Sequence, residues 1–322
     1  MPINIVALQR YLPAAVKNIL KPYYRKLFPS QLCVMLWVTF RCNYRCSYCP
    51  YVTRSDYSKI YKKENEPTSE AWLQALNKLP QANIYIAGGE PFLYSGLPEL
   101  INGLKKHRIL GIVTNATVRK NVYGRIIKNK KINLTLSFHR EFVTEDQFLD
   151  KIKELRKTGL FHFNVNLVAT RENVMMIPKF KKFFADNNVS LRIEPFRDLD
   201  VKFEYTPEEK EILSRYLAPD RNSVDIANFN SCMPKECSAG QNYISIMPDG
   251  TVFRCVGGSE YFHNPSKKEL LDSVGCDPGF FLMGNIFDPN FRLDKSSVYC
   301  RLPCTAGCDW DMAKIKWLKN KK

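Results

Sequence analysis

The sequence predicts an α/β protein built as a partial (β/α)6 TIM-like barrel, residues 31–217, followed by a small cysteine-rich hairpin-and-loop domain, residues 218–312. Basic segments, residues 1–30 and 313–322, flank the two. Three observations carry this reading. Apolar β-type runs alternate with helical patterns six times over residues 32–217. The texture changes near residue 218, where glycine, proline and cysteine rise. The eleven cysteines fall into two groups, four in residues 33–49 and seven in residues 232–308.

Taken in order, Cys33 to Phe40 is an apolar and β-branched run that reads as a buried strand. "PTSEAWLQALNKLP" is a helix capped by Thr68 or Ser69 and ended by Pro80. "NIYIAGGEP" is a strand with a glycine loop, "LPELINGLKKHR" a helix, "LGIVTNA" a strand and "VRKNVYGRIIKN" a helix. "NLTLSFH" is a strand, and "VTEDQFLDKIKELRKTG" is a helix with acids first, bases last and Gly159 behind it. "FHFNVNLVAT" and "LRIEPF" are strands; "MIPKFKKFFADN" and "TPEEKEILSRYL" are helices. Such alternation implies a parallel sheet with right-handed crossovers, and functional groups belong at the carboxyl ends of its strands. Further on, "YISIMPDGTVFRC" reads as a hairpin around Asp249–Gly250.

Composition narrows the class. A chain of 322 residues with 45% hydrophobic and 25% charged residues can bury a substantial core. No run has the length and apolarity of a membrane span, and the N-terminus lacks a secretory pattern. Clustered cysteines in a chain of this size fit metal sites in a reducing cytoplasm better than a disulfide scaffold. The net charge of +16 is concentrated at the ends: Arg10, Lys17, Lys21, Arg25 and Lys26, then Lys314, Lys316, Lys319, Lys321 and Lys322. These ends are either solvated or contact an anionic membrane surface, nucleic acid or a phosphorylated substrate, and the membrane case would make the chain peripheral to a membrane. No separate RNA-binding module is present, so nucleic acid is not an expected partner.

The chemistry lies in "FRCNYRCSYCP", with Cys42, Cys46 and Cys49 inside eight residues. Soft thiolates at this spacing suit three corners of an iron–sulfur cluster. A zinc knuckle borrowing a fourth ligand such as His139 is the competing reading of the spacing. The motifs Gly88–Gly89–Glu90, Thr114–Asn115 and Ser137 to Arg140 fall at the ends of the next three predicted strands, on the same rim.

The arrangement Cys42-x3-Cys46-x-Tyr48-Cys49 after a first strand resembles the signature of the radical S-adenosylmethionine (radical SAM) superfamily. The resemblance implies a [4Fe–4S] cluster on Cys42, Cys46 and Cys49 whose open iron chelates SAM. Reductive cleavage of SAM then gives a 5′-deoxyadenosyl radical that abstracts hydrogen from a C–H bond. It also implies Tyr48 near the adenine, Gly88, Gly89 and Glu90 at the methionine ammonium, and Thr114 and Asn115 near the ribose and sulfonium. Ser137 and, more weakly, Asn166 are placed at the ribose or carboxylate, while His139 and Arg140 are the candidates for catalysis or substrate contact. A reduced flavodoxin or ferredoxin-type donor is the implied partner.

Cys237-x12-Gly250-x4-Cys255 resembles the opening of the SPASM and Twitch extensions of that superfamily, with Cys300, Cys304 and Cys308 returning from a later loop. The resemblance implies one auxiliary [4Fe–4S] cluster, on Cys237 and Cys255 plus ligands from Cys300, Cys304 and Cys308, with Cys232 in reserve. The spacing C-x3-C-x3-C departs from the full SPASM pattern, and a zinc ribbon is the competing reading. Cys33 and Cys276 read as small apolar residues or free thiols.

The expected activity is radical SAM C–H activation on a small or lipid-like, anionic molecule. A maturase acting on a ribosomal peptide or protein side chain is the second reading. An electron carrier or structural zinc protein is the non-enzyme alternative.

Overall fold

The structure is a computed structural model of the whole chain. It describes residues 32–51, 57–117, 120–126, 132–159, 161–196, 204–217, 235–263, 268–273, 275–302 and 315–317. Residues 1–30, Cys232, Cys304, Cys308 and the basic C-terminal end apart from Ile315–Trp317 lie outside these.

Six strands follow the predicted runs: β1 (Leu32–Trp37), β2 (Ala82–Ala87), β3 (Arg108–Thr114), β4 (Ile132–Ser137), β5 (Phe161–Ala169) and β6 (Leu191–Pro195). They lie side by side in chain order and every neighbouring pair is parallel. This is the mostly parallel α/β sheet that the alternation predicts, with its strand ends on one rim.

Between them run α1 (Tyr57–Ile60), α2 (Ser69–Leu76), α3 (Leu97–Gly103), α4 (Lys120–Tyr123), α5 (Glu145–Thr158) and α6 (Ile177–Asp186), with α7 (Pro207–Tyr216) after β6. Local chemistry sets their limits. The Thr68 side chain accepts from Ala71 N at the start of α2. Thr144 and Gln147 form a reciprocal capping box on α5, which ends at Gly159 with φ 65°. Thr206 and Glu209 do the same for α7. Helix α3 is shorter than its sequence pattern and stops at Gly103, a poor helix former packed against Leu73.

The cysteine-rich region does not stand beside this sheet; part of it extends it. Strands β8 (Tyr243–Ile246), β9 (Thr251–Phe253) and β10 (Leu282–Asn285) continue the sheet past β1, giving the order β10-β9-β8-β1-β2-β3-β4-β5-β6. The hairpin turns at Asp249–Gly250, and Gly250 takes φ 86°, a conformation open to glycine. Strand β8 is parallel to β1, with Cys33 opposite Tyr243 and Leu36 opposite Ile246. Strands β7 (Lys235–Cys237), β11 (Val298–Cys300) and β12 (Ile315–Trp317) form a second, antiparallel sheet. Helices α8 (Val256–His263) and α9 (Lys268–Ser273) link β9 to β10.

The two faces of the large sheet differ. One is apolar throughout: Val34, Ile84, Ile112, Leu134, Val165 and Ile193 join helix residues such as Trp72, Phe148, Phe180 and Phe184. On the other face, at the β8–β1–β2 side, Met35, Trp37, Ala87 and Tyr243 pack with Tyr57, Tyr61, Val256 and Tyr261. Across β4 to β6 that same face is polar and half-buried or exposed: Asn133, Thr135, Ser137, Asn164, Asn166, Arg192 and Glu194.

Candidate active site at the cysteine loop

The cysteine loop follows β1 and is braced on both sides. Gly89 N donates to Thr39 O and Glu90 N to Arg41 O, each at 2.8 Å. A Cβ on Gly88 would land on Thr39 O, and one on Gly89 on Arg41 O. The two glycines therefore let the glycine loop pack directly on the backbone leading into Cys42, where the sequence suggested approach to a ligand. Arg41 adds a two-pronged grip on Glu66, Nε to Oε1 at 3.0 Å and Nη2 to Oε2 at 2.8 Å, and reaches Leu93 O at 2.7 Å.

Glu90 is fully buried. Its Oε1 accepts from Phe92 N at 3.1 Å and Thr114 Oγ1 at 2.8 Å, and its Oε2 from Asn115 N at 2.7 Å. Burial pushes its carboxyl pKa up to about 7, although all three donors pull the other way. The carboxylate thus fastens the end of β2 to the end of β3.

That fastening brings Asn115 over the loop. Asn115 Nδ2 donates to Asn43 Oδ1 at 3.0 Å and lies 3.9 Å from Cys42 Sγ. Tyr44 N donates to Cys42 Sγ at 3.4 Å. Glu141 holds the far side, accepting from Ser47 N at 3.0 Å and Ser47 Oγ at 2.5 Å. His139 sits beneath: its Nδ1 lies 3.2 Å from Cys46 Sγ and 2.8 Å from Tyr48 OH. Burial depresses the imidazole to about 4, so it is neutral.

The structure therefore brings Cys42, Cys46, Cys49, Tyr48, Glu90, Asn115 and His139 together. Thr114 joins them through Glu90. Ser137 and Asn166 are opposite one another on β4 and β5, and Asn166 is opposite Arg192 on β6, a polar row running from the loop. Arg140 points elsewhere, forming an ion pair with Glu145 at 3.7 Å. Arg41, Glu66, Asn43 and Glu141 were not singled out in the sequence, because their contacts span 25 to 94 residues and leave no local pattern.

The donor set fits a cluster. Burial raises the Cys42 thiol, and burial together with the charges of Cys49, Glu141 and Cys42 pushes Cys46 up to about 12. Crowded thiolates of this kind are stabilised by a bound cationic metal centre, and thiolate is the soft donor iron–sulfur clusters take. Among the described residues no three His, Cys, Asp or Glu side chains converge on a single metal ion.

The described cysteines of the second group share one buried cluster, Cys237 within it and Cys255, Cys276 and Cys300 packed against it. Cys237 lies on β7 opposite Val298, and Cys300 on β11 opposite Lys235. Cys255 stands just before α8, with its Sγ accepting from Gly258 N at 3.1 Å. Cys276, set aside in the sequence, lines a cavity of about 470 Å³ with Cys300, Asp277 and Tyr299. Burial and then the Cys300 charge raise its thiol.

Residues 38–188 match the family model described as the radical SAM superfamily. Over these residues the chain carries a radical SAM domain, and it is an enzyme. Its named relatives are distant. It is 26% identical to a probable GTP 3′,8-cyclase of Sulfolobus acidocaldarius, over 79% of this chain and 92% of that protein. It is 25% identical to the radical SAM cyclopropyl synthase TigE of Paramaledivibacter caminithermalis, over 76% of this chain and 61% of that one. It is 26% identical to a GTP 3′,8-cyclase of Listeria monocytogenes, over 49% of this chain and about half, 52%, of that one. The fold is similar to a solved structure of anSMEcpe with bound AdoMet, at TM-score 0.52 and 16% identity, covering 80% of this chain and 78% of that one. Among the described residues no helix is long and apolar enough to cross a membrane.

Proposed function

We propose that the chain binds a [4Fe–4S] cluster through Cys42, Cys46 and Cys49 and acts with SAM on a C–H bond of a small, anionic substrate. The cluster with SAM would supply one-electron reductive cleavage of the sulfonium and hydrogen abstraction. The chain's own residues position the reactants. Asn115, Tyr48 and the carbonyls of the glycine loop line the place for the nucleotide, while Glu90 holds that loop from within and His139 supports Tyr48. Ser137, Asn166 and Arg192 offer donors along the adjoining face.

The observation that carries this reading is the polar row of β4–β6 beside the loop that bears Cys42, Cys46 and Cys49. A polar floor favours a small polar or anionic substrate over the lipid-like one. The relatives named as GTP 3′,8-cyclases make a nucleoside triphosphate the first substrate to try. An auxiliary [4Fe–4S] cluster on Cys237 and Cys255, completed from Cys300, Cys304 and Cys308, is part of the proposal, as is electron supply from a flavodoxin or ferredoxin-type donor.

The test is anaerobic reconstitution, reduction and incubation with SAM, with and without GTP, followed by quantification of 5′-deoxyadenosine. Formation in the wild type and its loss in Cys42→Ala, Cys46→Ala and Cys49→Ala are expected. Formation that persists in any of the three contradicts the assignment. Replacing Cys237 and Cys255 together is expected to remove about four irons, one cluster; unchanged iron contradicts the auxiliary site.

A further inference from the structure

The chain leaving Cys49 is held by a helix some 200 residues further on. Tyr51 OH donates to Glu260 Oε1 at 2.8 Å, Tyr57 OH to Ser259 Oγ at 3.4 Å, and Tyr61 OH lies 2.7 Å from His263 Nε2. All three partners are on α8. The rings interlock as well: Tyr51 lies 4.7 Å from Trp37 and meets Tyr57 edge-on at 5.7 Å, and His263 lies 5.2 Å from Tyr57 and 5.6 Å from Tyr61.

These polar pairs are buried inside an otherwise apolar cluster. Tyr57 is 4% exposed, Tyr61 3%, Ser259 1% and Glu260 6%. Apolar packing alone needs no hydroxyl at three successive positions. Buried polar groups must find partners, so each pair admits one register of the loop segment against the helix. The helix is capped at its other end by Cys255, whose Sγ accepts from Gly258 N in the first turn. One rigid element thus has a cysteine of the second group at its start and a grip on the segment behind the first group along its side.

We propose that Glu260, through Tyr51, is a positioning residue for the Cys42–Cys49 loop, and that Ser259 and His263 share this task through Tyr57 and Tyr61. Helix α8 is then the strut by which the cysteine-rich region sets the geometry at which the first cysteine group receives its nucleotide. The proposal rests on the cluster and SAM reading above, and the test separates the two.

Tyr51→Phe and Glu260→Ala each remove one side of the contact and leave every cysteine in place, whereas Glu260→Gln keeps an acceptor oxygen. The measurements are iron content, SAM titration of the electron paramagnetic resonance (EPR) spectrum of the reduced, reconstituted full-length protein, and hydrogen exchange at the Tyr61 amide, which donates to Tyr57 O at 2.8 Å. Expected are unchanged iron, a SAM requirement raised up to about tenfold in Y51F and E260A, and wild-type behaviour in E260Q. Faster Tyr61 exchange should accompany the two disruptive variants, and the double variant should be no worse than the worse single one. Wild-type titrations and exchange in both Y51F and E260A overturn the proposal, as does a double variant whose loss is the sum of the singles. If the wild-type spectrum ignores SAM, the reading of the first group falls, and unchanged Tyr61 exchange in Y51F then overturns the strut as well.

Discussion

Glu90 fastens two strand ends with one carboxylate, and its burial has a consequence for stability. Its folded pKa, about 7, lies above the ordinary value of 4.5, so the folded chain keeps that proton to higher pH than the unfolded chain. Its contribution is therefore greatest below pH 4.5 and declines as pH rises to about 7. Glu90→Gln removes the titration. The difference in unfolding free energy between wild type and E90Q should fall across this window by at most about 3 kcal/mol. A difference that is flat with pH contradicts the account. At Gly89 the constraint is steric: a methyl group would meet Arg41 O, which cannot move without moving Cys42. Gly89→Ala should cost about 1–3 kcal/mol and lower the iron bound on reconstitution. Wild-type stability and iron content would show that the two loops are not in contact.

Helix α5 shows what an element reveals in its own sequence. Thr144, Gln147 and Gly159 mark both ends, and the apolar spacing of Phe148, Leu149, Ile152 and Leu155 marks the buried face. Thr144→Ala should cost about 1 kcal/mol, the usual value of an N-cap. Phe148, packed at 5.1 Å from Phe138 and wholly buried, should cost about 3–5 kcal/mol when cut to Ala. Denaturant unfolding checks both, and equal losses would contradict the packing. The cysteine loop is legible in another way, because its donor spacing is written in eight residues. Its bracing is not. Arg41 finds Glu66 across 25 residues and Ser47 finds Glu141 across 94, and neither partner shows a periodicity or cap that points to the other. Arg140 was legible as a polar residue on the rim, but the nearer carboxylate of Glu145 claims it.

In the whole molecule, the order of β1 to β6 follows from the alternation, since short right-handed crossovers leave few other arrangements. The joining of β8 to β1 does not follow. A parallel partner more than 200 residues away has no connecting pattern, and a hairpin reads the same whether it is free or added to a sheet. Yet this joint covers the edge of β1 from Cys33 to Leu36. A chain ended at residue 217 should expose that edge and associate through it, giving oligomers or insoluble protein in size-exclusion chromatography. A stable monomer would show that β8 is dispensable to the sheet. The same side of the sheet carries the apolar cluster around Trp37, while the β4–β6 side of that face stays polar and open. One flank of the cysteine loop is thereby covered by apolar packing, and the other adjoins a polar, half-buried face.

The central claim is that Cys42, Cys46 and Cys49 hold three corners of a cluster whose fourth metal is open to SAM. The most direct measurement is the EPR spectrum of the anaerobically reconstituted, reduced protein before and after SAM is added. A SAM-dependent change that vanishes in Cys42→Ala is the expected result, and a spectrum indifferent to SAM would contradict it.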